Sequence, residues 1–482
     1  MSTVSEDICT DESLDLCYMT AGEVIAAFKA KTLSPVDVLR AQIARIEAVN
    51  PTLNALTYTY FDEAMEQAKE AEKRYRSGTN IRPLEGVTCA IKDWHPMKGR
   101  ITTWGSHAFA DFLPDNTAPT VERLIDAGVI VHCRTTTPEL GHSGITHSLL
   151  WGITRNAWNP EYTPGGSSGG AGAALAAGMT TIADGTDGGG SIRMPASSSG
   201  VYGYKAPWGR NPLDREHPGE TMLHYGPMAR SVEDCALMQN VMSGPHPADL
   251  YSLREKVTLP DTYESMEGAR IALSMDLGIF EVDEEVQKNT RAAADTFRSL
   301  GCVVDEVRLD WDLDVEKGWL TTWEGLFWSL CGHLLKDWRD KMDPYTVKIL
   351  EDGSKHDVKT FYDMHRIRYV MHQKLLKATE GYDYFIAPTL AIPAAKADRK
   401  NDDPLSINGR PVPPYTGWMM TYPFNLLSQY PVMSVPSGFC SKTGVPTGLQ
   451  IVGPTFDDLS VFRAATAFET ATQPWKKFRP TL

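Results

Sequence analysis

Helical and strand-like patterns of apolar residues alternate along most of the chain. Stretches of helical length, two of them preceded by the capping residues Thr20 and Ser34, are separated by short apolar runs typical of buried strands. The predicted helices cover 21–30, 35–50, 120–127, 171–177, 284–300, 358–378 and a last stretch from 458, and the predicted strands cover 86–91, 129–134, 270–275, 303–309, 384–387, 432–436 and 448–452. This alternation predicts an α/β fold in which helices cover a central sheet.

The composition is that of a folded protein with a sizeable core. Of the 482 residues, 42% are hydrophobic and 22% are charged, and the formal net charge is −14. So acidic a chain disfavours nucleic acid and anionic membranes as partners, and no apolar run reaches the roughly 18 residues of a membrane-spanning helix. Residues 1–15 are acidic and polar, unlike a signal peptide, and predict a disordered tail. We therefore expect a cytoplasmic protein.

The segment DGTDGGGSIRMP, residues 184–195, places three glycines directly before Ser191. It lacks the lysine and Ser/Thr of a phosphate-binding loop, and Ser191 does not lie in the GxSxG motif of other hydrolases. The twelve histidines form no His–Glu–x–x–His motif, and the eight cysteines show no zinc-ligand spacing. We expect no metal or organic cofactor, and the remaining chemistry is a nucleophilic serine that no histidine activates.

Several blocks of the sequence resemble the amidase signature hydrolases. The strongest are PGGSSGGAGAALAAGM at 164–179 and DGTDGGGSIRMPASSSGVYGYK at 184–205, and further similarity lies at 90–93, 102–106, 226–244 and 448–458. The resemblance covers roughly residues 20–475. It implies a central mixed, twisted β-sheet with helices on both faces, in a single catalytic domain over residues 16–482 whose signature core lies at about 80–245.

The resemblance implies a Ser–Ser–Lys triad. Position by position, Ser191 is the nucleophile, Ser167 the bridging serine whose preceding peptide is cis, and Lys92 the base. A lysine accepts a proton only when it is neutral, and the apolar run before Lys92 predicts a buried amine with a lowered pKa. Since glycine amides can turn inward with no Cβ in the way, we expect an oxyanion hole at Gly188, Gly189, Gly190 and Ser191. The resemblance implies a bulkier residue at position 188, and the glycine found there departs from that pattern.

Other residues near these motifs are candidates for supporting or substrate-binding roles. Asp187 and Arg193 are expected to form a structural ion pair, and Ser168 to support the loop. The possible substrate pocket comprises Trp94, His95, Trp323 and Trp418. Trp323 belongs to an aromatic stripe in a possible lid at about 311–340, and Trp418 to a possible flexible wall at 404–420. Plain core packing is the alternative for Trp94, His95 and Trp323.

These observations predict a hydrolase that cleaves C–N bonds of amides or carbamates through a Ser191 acyl-enzyme. The aromatic residues favour substrates of the aryl amide, anilide or urethane type. The expected partner is a small-molecule substrate, with no nucleic acid and no membrane, and the protein is expected to be a monomer or homodimer. The alternatives are a glutaminase subunit of an amidotransferase complex and a non-catalytic binding protein with the same fold.

Overall fold

In the computed structural model, which describes residues 11–482, one large sheet carries most of the strands. In chain order, the strands are β1 (Leu56–Thr59), β2 (Thr88–Lys92), β3 (Ile130–Thr135), β4 (His147–Ser148), β5 (Gly152–Ile153), β6 (Ile182–Asp187), β7 (Tyr202–Lys205), β8 (His224–Ala229), β9 (Arg270–Leu273), β10 (Val303–Glu306), β11 (Tyr384–Pro388), β12 (Leu405–Ile407), β13 (Arg410–Val412), β14 (Val432–Phe439) and β15 (Pro446–Val452).

The α-helices of the described residues lie between and around these strands. They are α1 (Asp11–Tyr18), α2 (Ala21–Ala30), α3 (Pro35–Leu53), α4 (Phe61–Ser77), α5 (Pro119–Asp126), α6 (Gly169–Ala176), α7 (Arg193–Ser199), α8 (Val232–Met242), α9 (Glu284–Ser299), α10 (Asp314–Cys331), α11 (Leu335–Trp338), α12 (Pro344–Gly353), α13 (Val358–Ala378), α14 (Pro423–Leu426), α15 (Asp458–Thr472) and α16 (Pro474–Lys477). None of them is both long enough and apolar enough to cross a membrane.

The large sheet has eleven strands in the order β1-β3-β2-β6-β8-β7-β14-β15-β11-β9-β10. It is mixed: β2 runs parallel to both β3 and β6, whereas the strands from β6 to β11 pair antiparallel and β11, β9 and β10 are parallel again. Helices flank it, which confirms the predicted α/β fold with a mixed central sheet. At the N-terminal end, Thr20 and Ser34 form capping boxes with Glu23 and Asp37, as their positions in the sequence predict.

Helix α6 brings one half of the candidate site to the sheet. Its sequence, GGAGAALA, is entirely buried, and its small side chains let it pack closely beside β2 and β6. Because β2 and β6 are parallel neighbours, their carboxyl ends lie at the same edge of the sheet. The segment that enters α6 and the loop that leaves β6 therefore meet at the end of β2.

Two sequence predictions need correction. Residues 1–10 of the predicted disordered tail lie outside the described residues, but 11–15 form the first part of α1. The segment 404–420, predicted as a flexible wall, contains the hairpin of β12 and β13 and ends in the buried residues Trp418, Met419 and Met420.

Candidate active site

Lys92 and Ser167 are in direct contact at the end of β2. Lys92 is the last residue of that strand, and its Nζ donates to Ser167 Oγ at 2.7 Å and to Thr186 Oγ1 of β6 at 2.7 Å. Its side chain is fully buried, and burial lowers the pKa of this amine to about 7, although the carboxylates of Asp184 and Asp187 act in the opposite direction. A neutral lysine amine is therefore populated near neutral pH.

Ser167 and Ser168 connect α6 to the loop that carries Ser191. The Gly166–Ser167 peptide is cis, as the resemblance implies. The backbone N–H of Ser168 donates to the carbonyl oxygen of Ser191 at 3.1 Å, and Ser168 Oγ lies 3.3 Å from both the N and the O of Thr186. These contacts fit the loop-supporting role expected of Ser168.

Ser191 lies in the glycine loop that follows β6, and it is not joined to Ser167 by a hydrogen bond. Ser191 is 4% exposed, and within residues 11–482 its side chain makes no hydrogen bond. The structure thus forms the Lys92–Ser167 link of the predicted triad and leaves Ser191 Oγ unengaged. A serine hydroxyl rotates about one bond among staggered positions, so this side chain can reorient without moving the backbone.

In the glycine loop the carbonyl groups are hydrogen-bonded within the protein, whereas three of the backbone amides are not. Its carbonyl oxygens accept from Trp319 Nε1 (at Gly188, 3.1 Å), Thr421 Oγ1 (at Gly189, 2.6 Å), Met194 N (at Gly190, 2.6 Å) and Ser168 N (at Ser191, 3.1 Å). The amides of Gly188, Gly189 and Ser191 donate to no partner within the described chain, which leaves these three N–H groups available to an oxyanion.

The prediction that Gly190 supplies an oxyanion donor does not hold in this structure, because its N–H donates to Asp187 Oδ1 at 2.8 Å. Gly190 still requires a glycine. Its φ is +123°, and a Cβ atom there would lie 1.9 Å from Thr421 Oγ1. This residue shapes the loop while its neighbours present their amides.

Two tryptophans of α10 pack against the glycine loop. A Cβ atom at Gly188 would lie 2.6 Å from the ring of Trp323, and one at Gly189 would lie 2.6 Å from the ring of Trp319. The two indoles stack on each other with centroids 5.1 Å apart, and Trp323 Nε1 donates to Tyr415 Oη at 3.0 Å. The space beside Gly188 is thus occupied by an indole from α10, which braces the loop.

Asp187 and Arg193 form a fully buried frame around this loop. Arg193 Nε and Nη2 each donate to a carboxylate oxygen of Asp187 at 2.9 Å, and Arg193 also donates to Gln450 and Asn425, each at 2.7 Å. Although burial opposes ionisation, the guanidinium holds the pKa of Asp187 well below its usual range. The predicted ion pair is present, and it fixes the orientation of the loop.

An apolar cavity of about 450 Å³, which we call the inner cavity, is lined in part by two tryptophans that contact the site. Trp94 and Trp323 both line it, together with other apolar residues such as Trp104 and Phe327. The Trp94 ring centroid lies 5.7 Å from Lys92 Nζ, and Trp323 packs on Gly188, so two lining residues of the cavity contact the site. Lys92, Ser167 and Ser191 are not themselves among the described residues that line it. Two larger surface grooves within residues 11–482, of about 560 and 780 Å³, contain none of the sequence-predicted site residues.

His95 and Trp418 are not among the described residues that line the inner cavity. His95 is fully buried, with its ring centroid 4.4 Å from that of Tyr225 and its Nε2 3.2 Å from Asp184 Oδ2. Burial lowers the pKa of His95 to about 3, so it is neutral. Trp418 is 2% exposed and packs against Gly144 in the core. Both side chains are packed in the protein interior.

Sequence reasoning missed several groups that hold the site together. Thr186 lies within the signature itself, where its position between Asp184 and Asp187 on one strand could have indicated a partner for Lys92. Thr421 and Asn425, which hold Gly189 and Asp187, come from a segment more than 200 residues away and carry no local signal. No group of three or more potential metal ligands occurs among residues 11–482.

Comparisons with known proteins identify the family of this chain. A model of the amidase family matches residues 37–462. An acylamidase from Rhodococcus erythropolis is 34% identical over 97% of this chain and 98% of its own. A glutamyl-tRNA(Gln) amidotransferase subunit from Geobacter metallireducens is 33% identical over 95% of this chain and 98% of its own. The crystal structure of a bacterial aryl acylamidase of the amidase signature family is 30% identical, with a TM-score of 0.88 over 95% of this chain and 97% of that one.

The chain therefore belongs to the amidase signature family. It is an amidase, a hydrolase of amide carbon–nitrogen bonds. This excludes the alternative of a binding protein without catalytic activity.

Proposed function

We propose that this amidase cleaves aryl amides, anilides and aryl carbamates of the urethane type through an acyl-enzyme on Ser191. The observation that carries the proposal is the buried Lys92–Ser167 hydrogen bond of 2.7 Å beside a cavity lined by Trp94 and Trp323. A base with a pKa of about 7 and an aromatic pocket next to it supply, respectively, the chemistry and the substrate preference.

In the proposed mechanism, Ser191 loses its proton as its Oγ attacks the substrate carbonyl carbon. Ser167 accepts that proton and passes its own to the neutral amine of Lys92, which becomes an ammonium. The new C–O bond forms while the carbonyl π electrons move to oxygen, and the amides of Gly188, Gly189 and Ser191 stabilise the oxyanion. When the intermediate collapses, the C–N bond breaks and the leaving nitrogen takes a proton back through Ser167.

Water then hydrolyses the acyl-enzyme through the same proton relay, with the water molecule as the nucleophile and Ser191 as the leaving group. Lys92, neutral again, accepts a proton from water through Ser167, and the oxyanion forms a second time in the same hole. Collapse of this intermediate returns the proton to Ser191 Oγ. A carbamate presents the same carbonyl to Ser191 as an amide does, so one site serves both substrates.

The aryl preference is supported by the walls of the inner cavity. Trp94, Trp104, Phe109, Trp323 and Phe327 surround it with aromatic faces and edges. Such surfaces favour aromatic ligands through burial and offset stacking, worth about 0.5–1.5 kcal/mol per well-placed pair beyond area. We also propose that the enzyme acts in the cytoplasm as a monomer or homodimer, on small molecules rather than nucleic acid, in keeping with its net charge of −14.

A hydrolysis panel tests the proposal. It compares kcat/KM for an anilide, an aryl carbamate, an alkyl ester and a short aliphatic amide under identical conditions. We expect the anilide and the aryl carbamate to be hydrolysed, and the short aliphatic amide to have a lower kcat/KM than the anilide. A fluorophosphonate that labels wild-type protein but not Ser191→Ala would support the nucleophile, and preference for the aliphatic amide would contradict the substrate class.

A glutaminase role inside a complex is the second candidate, because the amidotransferase relative from Geobacter metallireducens is 33% identical over nearly the whole chain. That role requires glutamine as substrate and a stable partner protein. The mostly apolar lining of the inner cavity disfavours so polar an amide. A glutaminase assay and size-exclusion chromatography of the chain alone separate the two functions: glutamine turnover that exceeds anilide turnover would favour the glutaminase.

A further inference from the structure

A second depression of about 780 Å³, which we call the outer cleft, lies next to the inner cavity. One wall is α10, the opposite wall includes the first two turns of α13, and the segment 217–221 borders both. It is concave and combines apolar with hydrogen-bonding side chains, for example Leu326 with Thr321 and His365. This mixture is typical of small-molecule sites.

The outer cleft and the inner cavity share part of their lining. His217, Pro218, Leu326 and Leu330 line both. Leu326 and Leu330 are one turn apart on α10, so they project from the same side of the helix and form the border between the two spaces. A ligand that fills the inner cavity and extends past this border therefore enters the outer cleft.

Large apolar side chains are exposed in the outer cleft. Trp328 is 41% exposed, Phe361 44% and Tyr362 66%, and Val358 beside them is 74% exposed. Single exposed apolar residues are ordinary, but a contiguous group in a concave site marks a binding surface. These four residues come from both α10 and α13, so both helices present large apolar or aromatic side chains to the cleft.

We propose that the outer cleft binds the distal part of an extended hydrophobic substrate. The reacting amide or carbamate and its first aromatic ring occupy the inner cavity, and a second aromatic group lies against Trp328 and Phe361. This inference rests on the proposed function, and it narrows the substrate class to molecules with two apolar groups joined by a short connection. The four lining residues that the two spaces share favour the substrate itself as the occupant over a second copy of the chain.

The test compares substrates that are identical around the scissile bond. One is a short anilide, and two others carry a second phenyl ring on a two-atom linker, attached to the aniline ring or to the acyl group. We expect wild-type kcat/KM to be higher for at least one extended substrate than for the short anilide. The ratio of kcat/KM for the preferred extended substrate over the short anilide should fall about three- to tenfold in Trp328→Ala and in Phe361→Ala, because each variant loses one aromatic contact.

Tyr369→Ala is the matched control. Tyr369 lies on the same helix as Phe361 and is 65% exposed, but it is not among the described residues that line the outer cleft. The ratio should stay at the wild-type value in this variant. Thermal unfolding of all three variants identifies any loss that comes from instability, and Phe361→Ala, at the more exposed position, keeps the test valid if Trp328→Ala unfolds.

The outcomes separate this inference from the proposed function. If no aryl substrate of any length is cleaved, the proposed function fails. If the short anilide is cleaved but neither extended substrate is preferred, or the ratio is unchanged in both cleft variants, the inference is wrong. A wild-type dimer that light scattering shows to dissociate in Trp328→Ala or Phe361→Ala, with an unchanged ratio, would also overturn it and assign this surface to a second copy of the chain.

Discussion

The ring of Trp323 occupies the space that a side chain at Gly188 would fill, since a Cβ atom there would lie 2.6 Å from the indole. The backbone of Gly188 does not adopt a positive φ, so a larger residue is excluded by this contact and not by its conformation. In this chain a tryptophan from α10 and a glycine in the loop are therefore complementary in size.

This relationship predicts a coupled effect on stability. Gly188→Ala should lower the free energy of unfolding by about 1–3 kcal/mol, because the added methyl group forces the indole to move. Trp323→Leu should relieve that clash, so the double variant should be more stable than the sum of the single effects, with a coupling of about 0.5–3 kcal/mol. Denaturant unfolding of the four proteins measures it.

Gly325→Ala is the control for this cycle. Gly325 is a helical glycine of α10 with no atom within 4 Å of an added Cβ, so alanine should be neutral or slightly stabilising. Additive effects of Gly188→Ala and Trp323→Leu would show that the two positions do not constrain each other.

The contact between Lys92 and Ser167 predicts the pH dependence of catalysis. Burial lowers the pKa of Lys92 to about 7, and below this pH the amine becomes an ammonium that cannot accept a proton. kcat/KM should therefore fall about tenfold per pH unit below about 7 and level off above it. Lys92→Arg should not restore activity, since a guanidinium stays charged. A flat profile between pH 5.5 and 8, or an active arginine variant, would contradict the role of Lys92 as base.

The position of Ser191 predicts a single site of acylation. Ser191→Ala should lower kcat/KM by about 10³-fold or more without unfolding the protein. Mass spectrometry of wild-type protein treated with a fluorophosphonate should place the adduct on the peptide that contains Ser191. Ser197→Ala is the matched control, because this buried serine of α7 has no hydrogen-bond partner for its Oγ and should leave the labelling unchanged. An adduct on Ser167 or Ser168 would overturn the assignment.

The sequence predicted elements best where local signals were strong. Helix α13 spans 358–378, the range its pattern predicts, and Asp357 caps it. Strand β6, in contrast, was not predicted: its sequence IADGTD has two carboxylates and a glycine, yet every residue of it is buried. Its burial depends on Lys92 and Arg193, which reach Asp184, Thr186 and Asp187 from other elements, and no local pattern reports such contacts.

The same distinction explains the candidate site. Lys92, Ser167 and Ser191 lie in motifs, and the structure places all three at one edge of the sheet. His95 was predicted as a pocket residue because it closely follows Lys92, but its ring contacts Tyr225 and Asp184, and it is not among the described residues that line the inner cavity. Tyr415, which holds Trp323, lies 92 positions from it, so only the fold reveals the contact.

The Asp187–Arg193 pair predicts that a single substitution strongly lowers the stability of the fold. Arg193→Met should destabilise the protein by about 3–5 kcal/mol, because it leaves a buried carboxylate without its counter-charge. Arg339→Met, which breaks the exposed pair of Arg339 with Glu351, should change stability little. Since the pKa of Asp187 is lowered in the folded state, its contribution is present above the unfolded-state pKa of about 3.9 and is lost as pH falls through the folded value. Equal effects of the two variants would show that the frame is not important for stability.

The aromatic lining of the inner cavity predicts the substrate preference of the site. Trp94→Ala removes the ring whose centroid lies 5.7 Å from Lys92 Nζ, and Trp323→Ala removes the ring that packs on Gly188. Each variant should therefore lose more activity towards aryl substrates than towards a short aliphatic amide. We expect the ratio of kcat/KM for an anilide over a short aliphatic amide to fall about three- to tenfold in either variant, and the ratio for an aryl carbamate to fall with it. Trp158→Ala is the control: this tryptophan packs on Phe439 and is not among the described residues that line the cavity, so its ratio should match wild type. If the aliphatic amide is the better substrate of the wild-type enzyme, or if both cavity variants retain the aryl preference, Trp94 and Trp323 serve only the packing of the loop and the aryl assignment is wrong.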